Sequence, residues 1–237
     1  MRTLAILCGL AVSGAGQITP LPQANSPEEF DAYLSILDAH GPAAVIAAGN
    51  TFVRRWPASP LRGHVYELEF EAYRQMGDAG RAIEAGEKSL AAAPDNLIML
   101  ANLSVVLANG TGDPNRLDRS TTYARKVIAL SGTFRIPKSI SPGEWAEISA
   151  RVKSQAHAAL GLVDNQRGDE IGAIREFETA IALAPSPDAT QYYRLGVLYR
   201  VTGRISEAKE KFRRAAELPE PAVQELALRE LRRLDGR

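Results

Sequence analysis

One spacing pattern occurs three times and limits the fold more than any other feature of the sequence. The segments 72–96, 160–186 and 195–220 align at their shared positions, with the closing proline one residue earlier in the last segment. Each contains a glycine, an alanine five residues later, a small residue seven positions further on, and a closing proline. These positions are Gly77, Ala82, Ser89 and Pro94; Gly168, Ala173, Ala180 and Pro185; and Gly203, Ala208, Ala215 and Pro219. The pattern predicts three copies of one structural unit.

Each shared position has a physical role in a pair of antiparallel helices. A glycine at the end of a helix can adopt the left-handed backbone that terminates it. The small residues let the two helices approach closely, and a proline ends the second helix because it cannot continue the hydrogen bonding. Gly161 and Gly196 precede two of the turns, and Phe177 and Phe212 supply large side chains to fill the gap toward the neighbouring unit.

These residues resemble the tetratricopeptide repeat, and the separation of Gly168 from Gly203 is close to its period of about 34 residues. The resemblance covers the chain from about Ser26 onward. It implies an all-α, right-handed α-solenoid of about five antiparallel helix pairs with a C-terminal capping helix. The pairs are expected near 27–60, 63–96, 97–130, 142–187 and 189–220 within a domain at 26–237, and the capping helix at 221–235.

The third pair departs most from the pattern. We expect its first helix at Leu97–Leu107, a stretched turn at Asn109–Asn115, and its second helix at Ser120–Leu130. The segment Ser131–Glu144 is rich in Gly, Pro and Ser, which predicts a loop before a long helix beginning at about Pro142. This insert is either a functional loop or an ordinary connection.

The first 16 residues have the layout of a secretory signal peptide. One positive charge precedes the apolar run Leu4–Val12, and small residues follow it. We expect residues 17–25 to be a linker and the mature protein to be periplasmic or secreted, with no stable membrane span after signal cleavage. The alternatives are a frayed apolar helix end and a lipid anchor on Cys8, which is the only cysteine in the chain.

The charges balance, with 28 Lys and Arg against 28 Asp and Glu. This argues against a whole-molecule basic surface for nucleic acid.

The last helix, Pro221–Leu234, is amphipathic. We expect its apolar side chains to cover the flank of the last pair and its arginines to face water. The covering residues are Val223, Leu226, Leu231 and Leu234, and the water-facing ones are Arg229, Arg232 and Arg233.

No catalytic or cofactor-binding motif stands out. His40, His64 and His157 have no metal-binding spacing, and we interpret them as surface or groove residues. The segment 113–118 departs from a calcium loop and is interpreted as a solvated turn. On the first helix of the second pair, Glu67 and Glu71 share a face, while Glu69 points away. A hydrolase using the first two carboxylates is one alternative function, although both are expected to be exposed with ordinary pKa values.

The resemblance also implies a partner-binding groove, because arrays of this kind use their concave surface for extended ligands. The positions it implies are His64, Glu67, Glu71, Arg74 and Gln75 in the second pair; Ile98, Ala101, Val105 and Asn109 in the third; Gln155, Ala158, Leu162 and Asn165 in the fourth; and Thr190, Tyr193, Val197 and Arg200 in the fifth.

The chaperone-tail clamp known in this family is rejected here. Asn102 matches one clamp asparagine, but two other clamp positions hold Glu67 and Glu71, which would repel a carboxylate. The sequence therefore predicts a non-catalytic scaffold for a protein or peptide partner, with no cofactor and no metal. The alternative to this scaffold, besides the hydrolase, is a self-associating structural component of a cell-envelope assembly.

Overall fold

The computed structural model describes residues 22–110, 112–133, 136, 140–186 and 188–236. These residues form eleven α-helices and no strand. The helices are α1 (Pro27–Leu37), α2 (Pro42–Arg55), α3 (Arg62–Gln75), α4 (Ala79–Ala92), α5 (Leu97–Ala108), α6 (Pro114–Thr133), α7 (Pro142–Gln166), α8 (Glu170–Leu183), α9 (Ala189–Val201), α10 (Ile205–Glu217) and α11 (Pro221–Leu234). The predicted signal peptide and Cys8 lie outside the described residues.

The helices pack as successive pairs of an α-solenoid. Each odd-numbered helix from α1 to α9 packs against the helix that follows it, and α5 also packs along α7, the first helix of the next pair. The predicted all-α solenoid is confirmed. Among the described residues, no helix is both long enough and apolar enough to cross a membrane.

The turn glycines act as the spacing predicted. Gly77, Gly168 and Gly203 have φ values of 73°, 79° and 79°, the left-handed region that favours glycine. In the last two pairs, glycine also permits close helix packing. A Cβ added to Gly161 would lie 2.9 Å from a ring carbon of Phe177, so this close approach is possible only because the glycine has no side chain.

The third pair has a longer second helix than expected. Helix α6 begins at Pro114, so the prediction that it begins at Ser120 was wrong, and the preceding turn is shorter than expected. The predicted loop is shorter at its start, because Ser131–Thr133 belongs to α6, whereas α7 begins at Pro142 as predicted. Ser141 caps α7 in a capping box with Glu144, which fixes that beginning.

The capping helix covers the array with a slightly different face. Ala227 is fully buried, and Val223, Leu231 and Leu234 pack against the core. Leu226 was expected to join them but is 40% exposed, because the buried face of α11 is centred on the small Ala227. The three arginines of this helix are exposed, as predicted.

Candidate binding groove

Three helices that begin different pairs meet along one surface, here called the groove. The Gln155 Nε2 of α7 is 3.5 Å from the Asn102 Oδ1 of α5. The Gln166 side chain of α7 donates to the carbonyl of Ala108 at the end of α5. The Arg194 Nη2 of α9 donates to the Asn109 Oδ1 at the end of α5 over 2.8 Å. Side chains from α5, α7 and α9 therefore form one continuous polar surface.

A cavity of about 520 Å³ opens beside this surface, between the α3–α4 turn and the end of α5. We call it the arginine cavity. Three of the predicted groove residues, Arg74, Val105 and Asn109, come together in its wall. The complete lining is Arg74, Gly77, Ala79, Ala82, Val105, Val106, Asn109, Gly110 and Arg116. The wall thus combines aliphatic side chains with two guanidinium groups.

The charged groups of this region differ in how they are paired. Glu71 accepts two hydrogen bonds from Arg74, over 2.8 and 2.6 Å, and one from Gln75. The Arg74 hydrogen bonds hold the pKa of Glu71 below its usual value. In contrast, burial lowers the pKa of Arg194, which donates to an amide rather than to a carboxylate. Glu71 is therefore ionised and paired, whereas Arg194 is partly desolvated beside a neutral partner.

Sequence reasoning missed Arg116 and Arg194. Arg116 was interpreted as part of a solvated turn, but it lies in the first turn of α6 because that helix begins at Pro114. Arg194 is next to the predicted groove residue Tyr193, whose ring instead packs 5.6 Å from that of Phe212, between α9 and α10. The repeat period alone contains no signal that would select Arg194 over Tyr193.

Four predicted groove residues are too buried to contact a partner. Their exposed fractions are 7% for His64, 0% for Ala101, 7% for Ala158 and 9% for Leu162. The prediction that these residues line an open surface is corrected, since neighbouring helices pack closely over the small alanines. His64 is likewise not a surface histidine.

The other predicted positions are spread along the array. Gln75, Asn109 and Asn165 are exposed. Arg200 lies 3.2 Å from Glu230 of α11, and Thr190 Oγ1 lies 3.4 Å from Glu220. These last two positions contact the C-terminal end of the chain. The remaining predicted residues, Ile98 and Val197, are half-buried and pack against the core.

The glutamates of α3 do not form a pair of exposed carboxylates. Glu67 Oε1 accepts from Asn96 Nδ2 over 2.6 Å and from Ser89 over 3.4 Å, and Glu67 Oε2 lies 3.5 Å from His64 Nδ1. Glu69 points to the other side of α3, as predicted, and is 5% exposed. Burial raises the pKa of Glu69, but this carboxylate faces α2 rather than the groove. The expectation that Glu67 is exposed is corrected by its contacts with Ser89 of α4 and with Asn96, which caps α5.

A second cavity, of about 340 Å³, lies at the other edge of the groove, where α7 meets the start of α9. We call it the acidic cavity. Its charged lining residues are Glu147, Asp188 and Glu220, with Arg151 as the one cation. The described residues contain no group of three or more His, Cys, Asp or Glu side chains that could hold a metal ion.

Comparison with known proteins supports the repeat fold. The model of the tetratricopeptide repeat family matches residues 190–220. Among solved structures, MamA (residues 41 to the end) from Desulfovibrio magneticus RS-1 is 16% identical, with a TM-score of 0.60 over 81% of this chain and 96% of that one. A thermophilic TPR protein of Thermus thermophilus is 18% identical, with a TM-score of 0.57 over 86% and 98%.

A third solved structure is PilW, described as a widely conserved type IV pilus biogenesis factor. It is 15% identical to this chain, with a TM-score of 0.61 over 89% of this chain and 87% of PilW. No curated protein matches the chain in sequence. At these identities the similarity establishes the fold alone, an α-solenoid of tetratricopeptide-type helix pairs.

Proposed function

We propose that the chain is a non-catalytic scaffold that binds a peptide segment or a protein partner in the groove of α5, α7 and α9. The observation that carries the proposal is the meeting of side chains from three pairs, including Arg194 with Asn109 across 85 positions of sequence. This surface borders a cavity whose wall is partly aliphatic, which suits a partner side chain. Solenoids of this type use such surfaces for extended ligands.

The carboxylates of α3 favour a scaffold over a hydrolase. A general acid needs a raised pKa and access to substrate. Of the two carboxylates proposed for a hydrolase, Glu71 is paired with Arg74 and its pKa is lowered, and Glu67 accepts hydrogen bonds from Asn96 and Ser89. The third, Glu69, has a raised pKa but is buried against α2. These contacts do not favour an acid that is both exposed to substrate and raised in pKa.

Site-specific photo-cross-linking in the native host tests the groove. A photoreactive amino acid at Asn165, which is exposed on α7, is expected to capture one defined partner. The same group at Arg175, exposed on α8, is the matched control and is expected not to capture it. Substitution Val105→Lys in the cavity wall should abolish capture from position 165, whereas Ala182→Lys at an exposed position of α8 should not. Equal capture from both positions would refute groove binding.

For localisation, we propose export to the periplasm or the medium. The apolar run Leu4–Val12 and the small residues after it support this proposal. Mass spectrometry of the protein purified from its host should find a new N-terminus close to residue 16. Recovery of the intact N-terminus from the cytoplasmic fraction would contradict export, and a lipid-modified Cys8 would favour the anchored alternative.

One observation supports self-association as a second candidate. Leu226 and Leu228 of α11 are 40% and 43% exposed at the end of the array. A helix flank with exposed leucines is a surface on which a second copy can pack. Sedimentation velocity of the protein and of a Leu226→Glu, Leu228→Glu variant distinguishes the two candidates. An assembly that dissociates in the variant supports self-association, and a monomer in both supports the scaffold alone.

A further inference from the structure

We propose that the arginine cavity binds a carboxylate of the partner with an aliphatic side chain beside it. This inference rests on the proposed scaffold function and specifies the chemistry that the scaffold recognises. Arginines from three different pairs lie in or beside the cavity. Arg74 lies at the end of α3 and Arg116 in the first turn of α6, and both line the cavity, while Arg194 of α9 reaches the lining residue Asn109.

The charge around the cavity is unbalanced. None of the nine lining residues is an aspartate or a glutamate. Glu71 pairs with Arg74, but among the described residues neither Arg116 nor Arg194 has a carboxylate oxygen within the 4.0 Å of an ion pair. Within the part of the chain that the structure describes, Arg116 therefore has no acidic partner within ion-pair distance, and the charge of Arg194 is offset only by Asp188, which lies beyond that distance. The overall formal charge of the chain is zero.

Arg116 has a fixed position and free donors on its terminal nitrogens. It makes one hydrogen bond in the described chain, from Nη2 to the Val106 carbonyl over 3.3 Å. Its Nε is buried with no partner, so a ligand can reach only the two Nη atoms. The guanidinium lies against Gly110, where an added Cβ would be 2.5 Å from Arg116 Cζ. A guanidinium carries five N–H donors in a rigid plane that matches a carboxylate, so a group held in this way can bind one with little reorganisation.

The rest of the wall selects among anions. Val105, Val106 and Ala79 provide an aliphatic surface next to the guanidinium groups. A phosphate or a nucleic acid backbone has no apolar group to place there, whereas a peptide carboxylate has a hydrocarbon neighbour. The residues are not those of the chaperone-tail clamp, because two of its positions hold Glu67 and Glu71 here.

Binding of short probe peptides to the full chain tests the inference. The probes are acetyl-Leu-Glu-Leu-amide, its neutral counterpart acetyl-Leu-Gln-Leu-amide, and acetyl-Leu-Gln-Leu with a free C-terminal carboxylate. Binding is followed through the NMR shifts of the Asn109 side-chain amide. We expect at least one of the two carboxylate peptides to bind about tenfold more tightly than the neutral one, and the comparison identifies a side-chain or a terminal carboxylate as the ligand.

Substitutions of single residues show which side chains bind the carboxylate peptide. Arg116→Gln should weaken binding of the carboxylate peptide about tenfold, and Arg194→Gln should also weaken it. Arg151→Gln in the acidic cavity is the matched control and should change nothing. Glu71→Gln should tighten binding several-fold, because it releases Arg74 from its present partner. A purely structural role of these side chains would not produce a gain of affinity.

Equal binding of the acidic and neutral peptides, absence of binding by all three, or an unchanged affinity in a folded Arg116→Gln variant would overturn the inference. Circular dichroism verifies folding, and a failure of Arg116→Gln to fold transfers the same test to Arg194→Gln. Partner capture from Asn165 would persist if only the carboxylate inference is wrong. Loss of that capture with retained peptide binding would instead contradict the proposed scaffold function.

Discussion

The first helix pair and the last two pairs are held together in different ways. In the last two pairs a glycine of the first helix faces a phenylalanine of the second. A Cβ at Gly161 would lie 2.9 Å from Phe177, and one at Gly196 would lie 2.8 Å from Phe212. These residues belong to one large core that continues from Phe70 to α11. The repeated contact joins the two helices within each of these pairs.

The first pair has a small core of its own. Its buried residues are Tyr33, Ile36, Phe52, Leu61 and Val65, which form a cluster separate from the large core. Helix α3 contributes Val65 to the small core and Phe70 to the large one, and charged side chains of α3 lie between them. Because the two clusters are separate, we expect two units of stability within one solenoid.

The junction between the two cores contains a carboxylate without a partner. Glu69 is 5% exposed, and its Oε1 has no hydrogen-bond partner in the described chain. It lies so close to α2 that a Cβ at Gly49 would be 2.6 Å from Oε1. A buried unsatisfied carboxylate opposes folding. The unsatisfied Oε1 therefore opposes the packing of α3 against α2.

The largest expected loss of stability follows from a substitution in the large core. Phe177→Ala removes a side chain that is 1% exposed and faces Gly161. We expect the free energy of unfolding to fall by about 3–5 kcal/mol, because the cavity left behind cannot close fully. Urea unfolding followed by circular dichroism measures it. Ile171→Ala on the same helix is the control, because that side chain is 59% exposed and should change stability little.

A comparable substitution in the small core should have a local effect. Phe52→Ala also removes a side chain that is 1% exposed, at a local cost of about 3 kcal/mol. We expect hydrogen exchange to accelerate in α1 and α2 but not in α7 to α10, because the two cores are separate. Thr51→Ala, at an exposed position of α2, is the control. Equal acceleration throughout the array would show that the chain unfolds as one unit.

The regular part of this architecture was predictable from sequence. The turn glycines and the small residues after them are local requirements of a helix pair, so Gly168 and Gly203 marked their turns correctly. The repeat period could not predict the start of α6, because Pro114 begins that helix outside the repeat pattern. Nor could it predict the burial of Ala101 and Ala158, which depends on how closely neighbouring pairs approach.

The candidate site was predictable only in part, for a related reason. Arg74 and Asn109 occupy regular groove positions, and both were found from the repeat. Arg116 and Arg194 contribute through contacts with Val106 and Asn109, which are set by the approach of helices distant in sequence. A single sequence contains the periodicity of each helix but not the distances between pairs.

Glu69, at the junction between the two cores, is expected to have a smaller effect on the free energy of unfolding, and this effect depends on pH. Burial raises the pKa of Glu69 in the folded chain above its unfolded value. Between these two values the folded state holds a proton that the unfolded state has lost, so stability falls as pH rises through this window. We expect Glu69→Gln to remove this contribution and to raise the free energy of unfolding at pH 7 by about 1–2 kcal/mol.

Urea unfolding of both proteins between pH 4 and pH 8 measures the effect at Glu69. The difference in stability should widen as pH rises and then become constant. Glu84→Gln is the control, because Glu84 is exposed on α4 and does not face α2. A constant difference at every pH would attribute the effect to packing rather than to the charge.

The smallest effect comes from two similar helix caps, one in each unit. Ser141 Oγ accepts from the Glu144 amide over 3.2 Å at the start of α7, and Ser26 Oγ accepts from the Glu29 amide over 3.2 Å at the start of α1. Loss of a serine cap costs about 1 kcal/mol. Ser141→Ala should lower the stability of the large core by about this amount in urea unfolding.

Ser26→Ala removes the equivalent hydrogen bond in the first pair. Because the two caps are alike, any difference in stability between Ser26→Ala and Ser141→Ala comes from the surrounding helices. In Ser26→Ala we expect faster hydrogen exchange in the first turns of α1. The urea concentration at which α7 to α10 unfold should not change. Glu29 beside this cap is 1% exposed and has an unpartnered Oε1, so fraying of the first turn also lets water reach a buried carboxylate. A change in the stability of the whole array equal to that of Ser141→Ala would show that the first pair is coupled to the later pairs as tightly as they are to each other.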